Sequence, residues 1–360
     1  MSNATTLERP EKDVPERVAS PIRLLTVSDA WTPQVNGVVR TVANVADELR
    51  AMGDIVEVIG PDRFPTMPMP SYPEIRLALM PRFRLRRLVD AFAPTAVHIA
   101  TEGPLGWSMR GLCIRRGWPF TTSFHTRFPE YVQARTGLPP RMAWALMRRF
   151  HNASAGTFAA TPTLHNELVS RGFLRVLPWT RGVDLSLFSP AASDDFAGLP
   201  RPIFLNAGRV AVEKNIEAFL SLDLPGTKVV VGDGPQRAEL EAKFPNVHFA
   251  GWRMGEGLAS AYRAADVFVF PSRTDTFGLV MLESMACGTP VAAYPVMGPL
   301  DVVADSPGGV LNEDLRAACM AALECSRPAA RAHAELFSWP ACAGAFRDQL
   351  VLLPEIVPAS

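Results

Sequence analysis

Short apolar runs alternate with longer stretches of helical period along almost the whole chain. The runs cover 23–29, 54–60, 96–101 and 119–126 in the first half, then 202–209, 227–234, 246–252, 266–272 and 289–296 in the second. Several, such as TKVVVGDG and DVFVFPS, are nearly continuous in apolar and β-branched residues, the mark of strands covered on both faces of a parallel sheet. Between them, segments 38–52, 140–153, 213–221, 257–265 and 278–287 have helix-length patterns. Strand and helix in alternation predict βαβ units and an α/β fold. A polar, proline-rich stretch near 190–201 reads as a linker, and the pattern restarts beyond it. The expected division is a disordered tail over 1–20, a Rossmann-like domain over 21–190, a second over 191–335 and a C-terminal helix over 336–360 returning toward the first domain. Pro340 predicts a break or kink in that last helix. Two parallel sheets arranged this way turn the loops at their strand ends toward a shared interdomain cleft, where ligands of open α/β sheets bind.

Composition narrows the class. With 48% hydrophobic and 20% charged residues in 360, the chain reads as globular. Its formal net charge is zero, yet the halves differ: Lys+Arg against Asp+Glu is 23 to 16 over residues 1–190 and 13 to 20 over 191–360. A basic first half suggests an anionic partner such as a membrane surface or a phosphate; complementary domain faces are the other reading. Cys113, Cys287, Cys319, Cys325 and Cys342 form no CxxC pair, which predicts buried thiols in a reducing, cytoplasmic setting and neither a disulfide frame nor a zinc site. No run reaches membrane-spanning length, and the polar N-terminus lacks a signal-peptide core.

Two motifs carry the chemistry. In AGRVAVEKN (207–215), Arg209 and Lys214 flank a strand-to-helix turn. Two cations there, with the amides of a helix start, suit a departing diphosphate; a pair of solvated bases in a turn is the equal alternative. In SRTDTFGLVMLESMACGTPV (272–291), seven residues lie between Asp275 and Glu283. Gly278 opens a helix whose Leu279, Leu282 and Met285 face the core. The amides of Thr276, Phe277, Gly278 and Leu279 could hold a phosphate, and Glu283 could accept hydrogen bonds from two ribose hydroxyls; read alone, Glu283 is equally a surface helix residue.

At these residues the chain resembles the retaining GT-B glycosyltransferases of family 4, over about 22–350. The resemblance implies an acceptor-side first domain, a nucleotide-sugar-binding second domain, donor-diphosphate binding by Arg209 and Lys214, and a ribose role for Glu283. The first acid, usually Glu and near the transferred sugar, is here Asp275, one methylene shorter. SDAWTPQVNGVVRTV (28–42) then supplies a loop toward the donor phosphates, with Asn36 and Gly37 as candidates, Gly37 making the turn; Arg40 either helps or is solvated. This is no GxGxxG, so a dinucleotide oxidoreductase is disfavoured. In SFHTRFPEY (123–131), a lone His is ordinarily structural. The resemblance places His125 instead beside the sugar, for positioning or electrostatic help and not as a base, with Arg127, Glu130 and Tyr131 on the acceptor side. In VVVGDGPQRAEL (229–240), the resemblance implies that Gly232, Asp233 and Gly234 approach the nucleotide and that Trp252 or Arg253 packs on its base; a plain strand-turn-helix junction is the alternative there.

The segment 81–92, PRFRLRRLVDAF, sets Leu85, Leu88, Val89 and Phe92 on one helical face, with Arg82, Arg84, Arg86 and Arg87 mostly elsewhere. It reads either as a membrane-surface helix or as an ordinary domain helix. Arg141, Arg148 and Arg149 extend the basic face if coplanar. The resemblance, strengthened by MPSYPEIRLAL (69–79), implies transfer of a hexose from GDP-mannose or a UDP-hexose, UDP-glucuronate included, to a membrane lipid. No DxD-like motif stands in a fitting place, so no metal or other cofactor is expected, and no nucleic-acid partner. The rivals are a GT-B nucleotide-sugar epimerase and a non-catalytic nucleotide-sugar-binding protein.

Overall fold

A computed structural model describes residues 21–34, 36–69, 72–125, 140–304 and 306–354. The expected tail over 1–20 lies outside them, as do Arg127, Glu130 and Tyr131.

The first sheet has six parallel strands: β1 (Arg23–Val27), β2 (Ile55–Ile59), β5 (Ala96–Ile99), β6 (Thr121–Phe124), β7 (Gly156–Ala159) and β8 (Val176–Pro178), in the order β2-β1-β5-β6-β7-β8. Between β2 and β5 the chain makes an antiparallel hairpin, β3 (Thr66–Met69) and β4 (Tyr72–Ala78), which the apolar-run pattern did not signal. The second sheet is also parallel, with β9 (Ile203–Ala207), β10 (Thr227–Val231), β11 (His248–Gly251), β12 (Val267–Phe270), β13 (Val291–Ala293) and β14 (Gly309–Leu311) in the order β11-β10-β9-β12-β13-β14. Every residue of β5, β6, β7, β9 and β12 is buried, because helices cover both faces. In each sheet the connections reverse direction beside the first strand, at β1/β5 and at β9/β12. A crevice opens outside the strand ends at such a reversal.

Helices α1 (Gly37–Ala51), α2 (Arg82–Phe92), α3 (Pro104–Arg116), α4 (Pro140–His151) and α5 (Pro162–Ser170) serve the first sheet. The second carries α6 (Ile216–Leu220), α7 (Arg237–Lys243), α8 (Gly255–Ala264), α9 (Leu279–Ala286), α10 (Pro299–Val302), α11 (Leu315–Ala322) and α12 (Arg327–Ala334). The helix expected over 213–221 is a 3-10 turn (Val212–Lys214) followed by the short α6, with Asn215 between them in the left-handed region at φ 53°. That residue breaks the continuity that the apolar spacing suggests.

The last helix, α13 (Trp339–Asp348), packs on α1 and buries Trp339, Cys342, Ala343 and Phe346 among Leu24, Val42, Val45 and Leu49. Arg347 grips the buried Asp54 through two bonds of 2.7 and 2.9 Å. The helix expected from 336 begins only at Trp339 and ends at Asp348, so the expected break falls at its start and Pro340 does not interrupt its interior. It occupies the first turn behind the Ser338 cap, where an amide hydrogen has no helical acceptor, so proline costs nothing there. The linker is less loose than its composition suggests: Phe196 enters the second domain's core, as does Phe188 just before the linker, and Leu199 packs against it. The apolar face of α2 is spent internally, since Leu85 and Val89 are fully buried with Leu88 and Phe92 packed behind them. That face is therefore closed to a membrane. On α4, Arg141 and Arg149 are exposed, whereas Arg148 leaves their face to donate to the Arg171 carbonyl. All five cysteines are free; four are buried and Cys325 is partly exposed. No helix among the described residues is long and apolar enough to cross a membrane.

Candidate active site

The second sheet's reversal point gathers the charged motif. The loop after β9 carries Arg209, partly buried, and ends in the 3-10 turn that bears Lys214. The loop after β12 carries Asp275. Lys214 Nζ reaches both Asp275 oxygens, at 2.6 and 2.9 Å, so residues far apart in sequence meet at adjacent strand ends. Asn215 braces the turn through its side-chain bond to the Pro271 carbonyl at 3.0 Å. The neighbouring loop after β10 approaches backbone to backbone: a Cβ on Gly232 would fall 1.8 Å from the Gly208 carbonyl oxygen, so only glycine fits.

Asp275 leads into Thr276, Phe277 and Gly278, which cap α9. Gly278 has φ 88°, a conformation that side chains disfavour, and a Cβ there would lie 2.7 Å from Met281 Cε. Phe277 is buried in the second core, and Leu279 packs against the cores of both domains. Leu282 and Met285 face inward as expected. Glu283 is almost completely buried. Its Oε2 accepts from the Tyr262 hydroxyl at 3.1 Å, and its Oε1 lies 2.5 Å from Arg40 of α1. Burial, and then the Glu283 carboxylate, push the Tyr262 phenol well above its ordinary pKa, which keeps it a donor.

The first domain answers across the cleft. Asn36 caps α1, its side-chain oxygen accepting from the amides of Val38 and Val39, both at 3.0 Å. The chain therefore turns at Asn36, and Gly37 is the first helical residue instead of the turn itself. A Cβ on Gly37 would still lie 3.8 Å from Leu279, which shows how closely the starts of α1 and α9 approach. Behind them, Asp29 at the end of β1 accepts from the amides of Leu105 and Gly106 and the Thr101 hydroxyl, tying α3 to the sheet. Burial raises its carboxyl to about 6, against the lowering effect of those bonds. His125, just past β6, accepts from Thr276 Oγ1 through its carbonyl at 2.8 Å and from Arg181 through Nδ1 at 3.1 Å.

Thus Arg40, His125, Lys214, Asp275, Thr276 and Glu283 are linked by pairs along the cleft. Other predicted residues are otherwise engaged. Arg253 pairs with Asp195 at 2.7 Å and lies over Phe196, so it is held against the linker, while Trp252 is about half exposed. Asp233 shapes its own turn, accepting from the Gly234 amide at 2.7 Å and from Arg237 at 3.2 Å. The sequence reading missed Asp29, Arg181 and Tyr262. An acid directly after an apolar run was a usable signal for Asp29. Nothing local marks the other two.

Two Rossmann-like domains, with this acid-and-cation set at the reversal point of the second sheet and facing the first, define a GT-B architecture. Residues 35–187 match the model of Glycosyltransferase Family 4, and residues 201–325 that of Glycosyl transferases group 1. The chain is 32% identical over 317 residues to a GDP-mannose-dependent alpha-mannosyltransferase of Mycobacterium tuberculosis, covering 81% of this chain and 83% of the relative. It is 26% identical to the alpha-monoglucosyldiacylglycerol synthase of Streptococcus pneumoniae, covering 84% and 78%. Among solved structures, sucrose-phosphate synthase from Thermosynechococcus elongatus superposes with a TM-score of 0.73 at 22% identity, covering 90% of this chain and 97% of that one. The chain belongs to glycosyltransferase family 4 and is a glycosyltransferase.

Proposed function

We propose that this enzyme moves a hexose, with retention at the anomeric carbon and without a metal ion, from a nucleotide diphosphate sugar to a membrane lipid. The observation that carries the reading is the Lys214–Asp275 pair at the second sheet's reversal point, beside the Arg209 loop, with Glu283 in the helix that follows. Lys214 and Arg209 would stabilise the diphosphate as its bond to the sugar breaks, while Glu283 takes the ribose hydroxyls once Arg40 releases it. The departing phosphate oxygen would take the acceptor proton on the same face of the sugar, and closure of the two domains excludes water. The similarity to a GDP-mannose-dependent enzyme favours GDP-mannose as donor, with UDP-hexoses and UDP-glucuronate as the other candidates.

A relative named for diacylglycerol glycolipid synthesis supports the lipid acceptor. So does the outer surface of α2. Met80 and Phe83 are 90% and 85% exposed beside Arg82, Arg84, Arg86 and Arg87, a pairing of apolar tips with cations that suits the cytoplasmic face of an anionic bilayer.

The test is to offer GDP-mannose, UDP-glucose and UDP-glucuronate to the purified chain with membrane lipid extracts, with and without a chelator. The expected outcome is lipid-dependent release of one nucleoside diphosphate, an α-linked product of matching mass and unchanged turnover in chelator. Complete loss in chelator rejects metal independence. Donor interconversion without acceptor identifies an epimerase, and donor binding without diphosphate release a non-catalytic binder.

A further inference from the structure

Arg181 lies in the crossing strap between β8 and the linker, and it is only 4% exposed. No carboxylate pairs with it among the described residues. Its guanidinium lies over the Trp179 ring at 3.9 Å, and one nitrogen donates to the Thr180 carbonyl at 2.9 Å. Another nitrogen stands 3.1 Å from Nδ1 of His125. Trp179 is itself pinned, donating through its indole nitrogen to the Cys342 carbonyl of α13. The cation is thus held in place by stacking and by main-chain oxygen, and it is aimed at the histidine that closes β6.

The chemistry of that contact has one solution. A guanidinium has only donors and keeps its charge inside proteins. Nδ1 of His125 must therefore offer its lone pair, and a neutral imidazole that accepts at Nδ1 carries its proton on Nε2. Nε2 is enclosed and finds no hydrogen-bond partner among the described residues. A buried donor left unpaired is costly, and a ligand oxygen that completes it is one explanation for its being there.

We infer that Arg181 is a positioning residue, which holds His125 as the Nε2–H tautomer so that the ring donates a hydrogen bond to an oxygen of the transferred sugar and has no lone pair with which to take the acceptor proton. This rests on the proposed placement of His125 at the sugar end of the cleft, next to Thr276. Charge and burial act in the same direction. Burial first, then Arg181, His98 and His151, hold the His125 imidazolium form well below its ordinary pKa. Arg181, lowered by burial to about 10, is still a cation at neutral pH. The assignment also agrees with a transfer in which the leaving phosphate receives the proton.

Labelling the histidines of the full chain with ¹⁵N tests the tautomer directly through long-range proton–nitrogen correlations at pH 7. The His125 signal among the six histidines is identified by its loss in His125→Gln. The expected pattern is Nε2–H with a bare Nδ1; an Nδ1–H or imidazolium pattern overturns the inference. In kinetics, Arg181→Met is expected to lower kcat about 10- to 100-fold, as for a misplaced contact group, with donor KM nearly unchanged. Arg181→Lys, which keeps a donor, is expected to restore part of the loss together with the tautomer. Wild-type kcat in Arg181→Met, or an unaltered tautomer there, overturns the inference. Wild-type turnover in His125→Ala would instead remove the sugar-end reading of His125, whatever the tautomer. Should Arg181→Met fail to fold, the wild-type spectrum still decides.

Discussion

Lys214 and Asp275 pair with one another, yet both side chains are partly open to solvent, at 30% and 20%. Pairs of this kind contribute about 1 kcal/mol or less, so a diphosphate with two negative oxygens can draw the ammonium away. If Lys214 stabilises the leaving group, Lys214→Ala lowers kcat/KM by about 100- to 1000-fold, the scale seen when one donor to a developing oxyanion is lost. Steady-state kinetics with saturating acceptor would show it, and a fall below tenfold would remove Lys214 from that role. A different residue contributes to the response to acid. His98 is buried, bonded to Thr121 at 2.9 Å and to Ser123 at 3.0 Å, and burial followed by the charge of Arg181 lowers it to about 3. The unfolded chain takes up this proton near pH 6.5 and the folded one near 3, so between those values the unfolded state binds more protons. Stability from this group is complete above about pH 6.5 and declines as pH falls toward 3, by at most ~1.4 kcal/mol per pH unit. Urea titrations of the wild type and His98→Gln should diverge in slope across that window and run parallel above it. The charged motifs were legible as residue types and spacing, whereas the partners of His98, Lys214 and Glu283 were not, because each comes from a different strand or helix.

Local rules account for most of the elements, and their exceptions have local causes. Asn36 ahead of a 15-residue amphipathic run is a helix start by chemistry alone, since its oxygen meets two amides that the helix leaves unpaired. Asn36→Ala should cost about 1 kcal/mol in chemical denaturation, while Asn36→Asp keeps the cap and loses little. A donor KM that worsens only in the alanine variant, in step with stability, would mean that Asn36 serves the helix and not the phosphate. Strands β7, β8 and β14, of three or four residues with Ala, Gly or Pro among them, escaped the pattern reading. Their extended form comes from pairing with β6, β7 and β13, not from propensity. Pro340 shows the converse: the same residue breaks a helix interior and opens a helix start, and where the helix begins depends on Ser338 and on the packing of Trp339 against the first domain.

Across the whole molecule, among the described residues, three polar contacts close the cleft: Arg40 with Glu283, Thr276 with the His125 carbonyl, and the Thr163 amide with Asp301 at 2.9 Å. Of these, the first holds the carboxylate proposed for ribose, so donor entry must exchange Arg40 for ribose hydroxyls. Arg40→Ala would leave Glu283 buried without its cation, a state avoided by opening the domains to water. Small-angle scattering of the ligand-free variant should therefore give a larger radius of gyration than the wild type; an identical value would show that apolar packing around Leu279 sets the closure. By itself, the sequence determined the alternation of strand and helix, the restart that makes two domains and the residue types of the candidate site, because periodicity and motif spacing are properties of neighbouring positions. The tertiary structure alone decided that Arg181 faces His125 and that Thr276 reaches its carbonyl, contacts spanning 56 and 151 residues of chain. It also decided that the apolar side of α2 is spent in the core and that α13 returns to α1. Such contacts depend on which strand ends and helix faces are brought together, and that follows from the order of strands in the two sheets and from closure of one domain on the other.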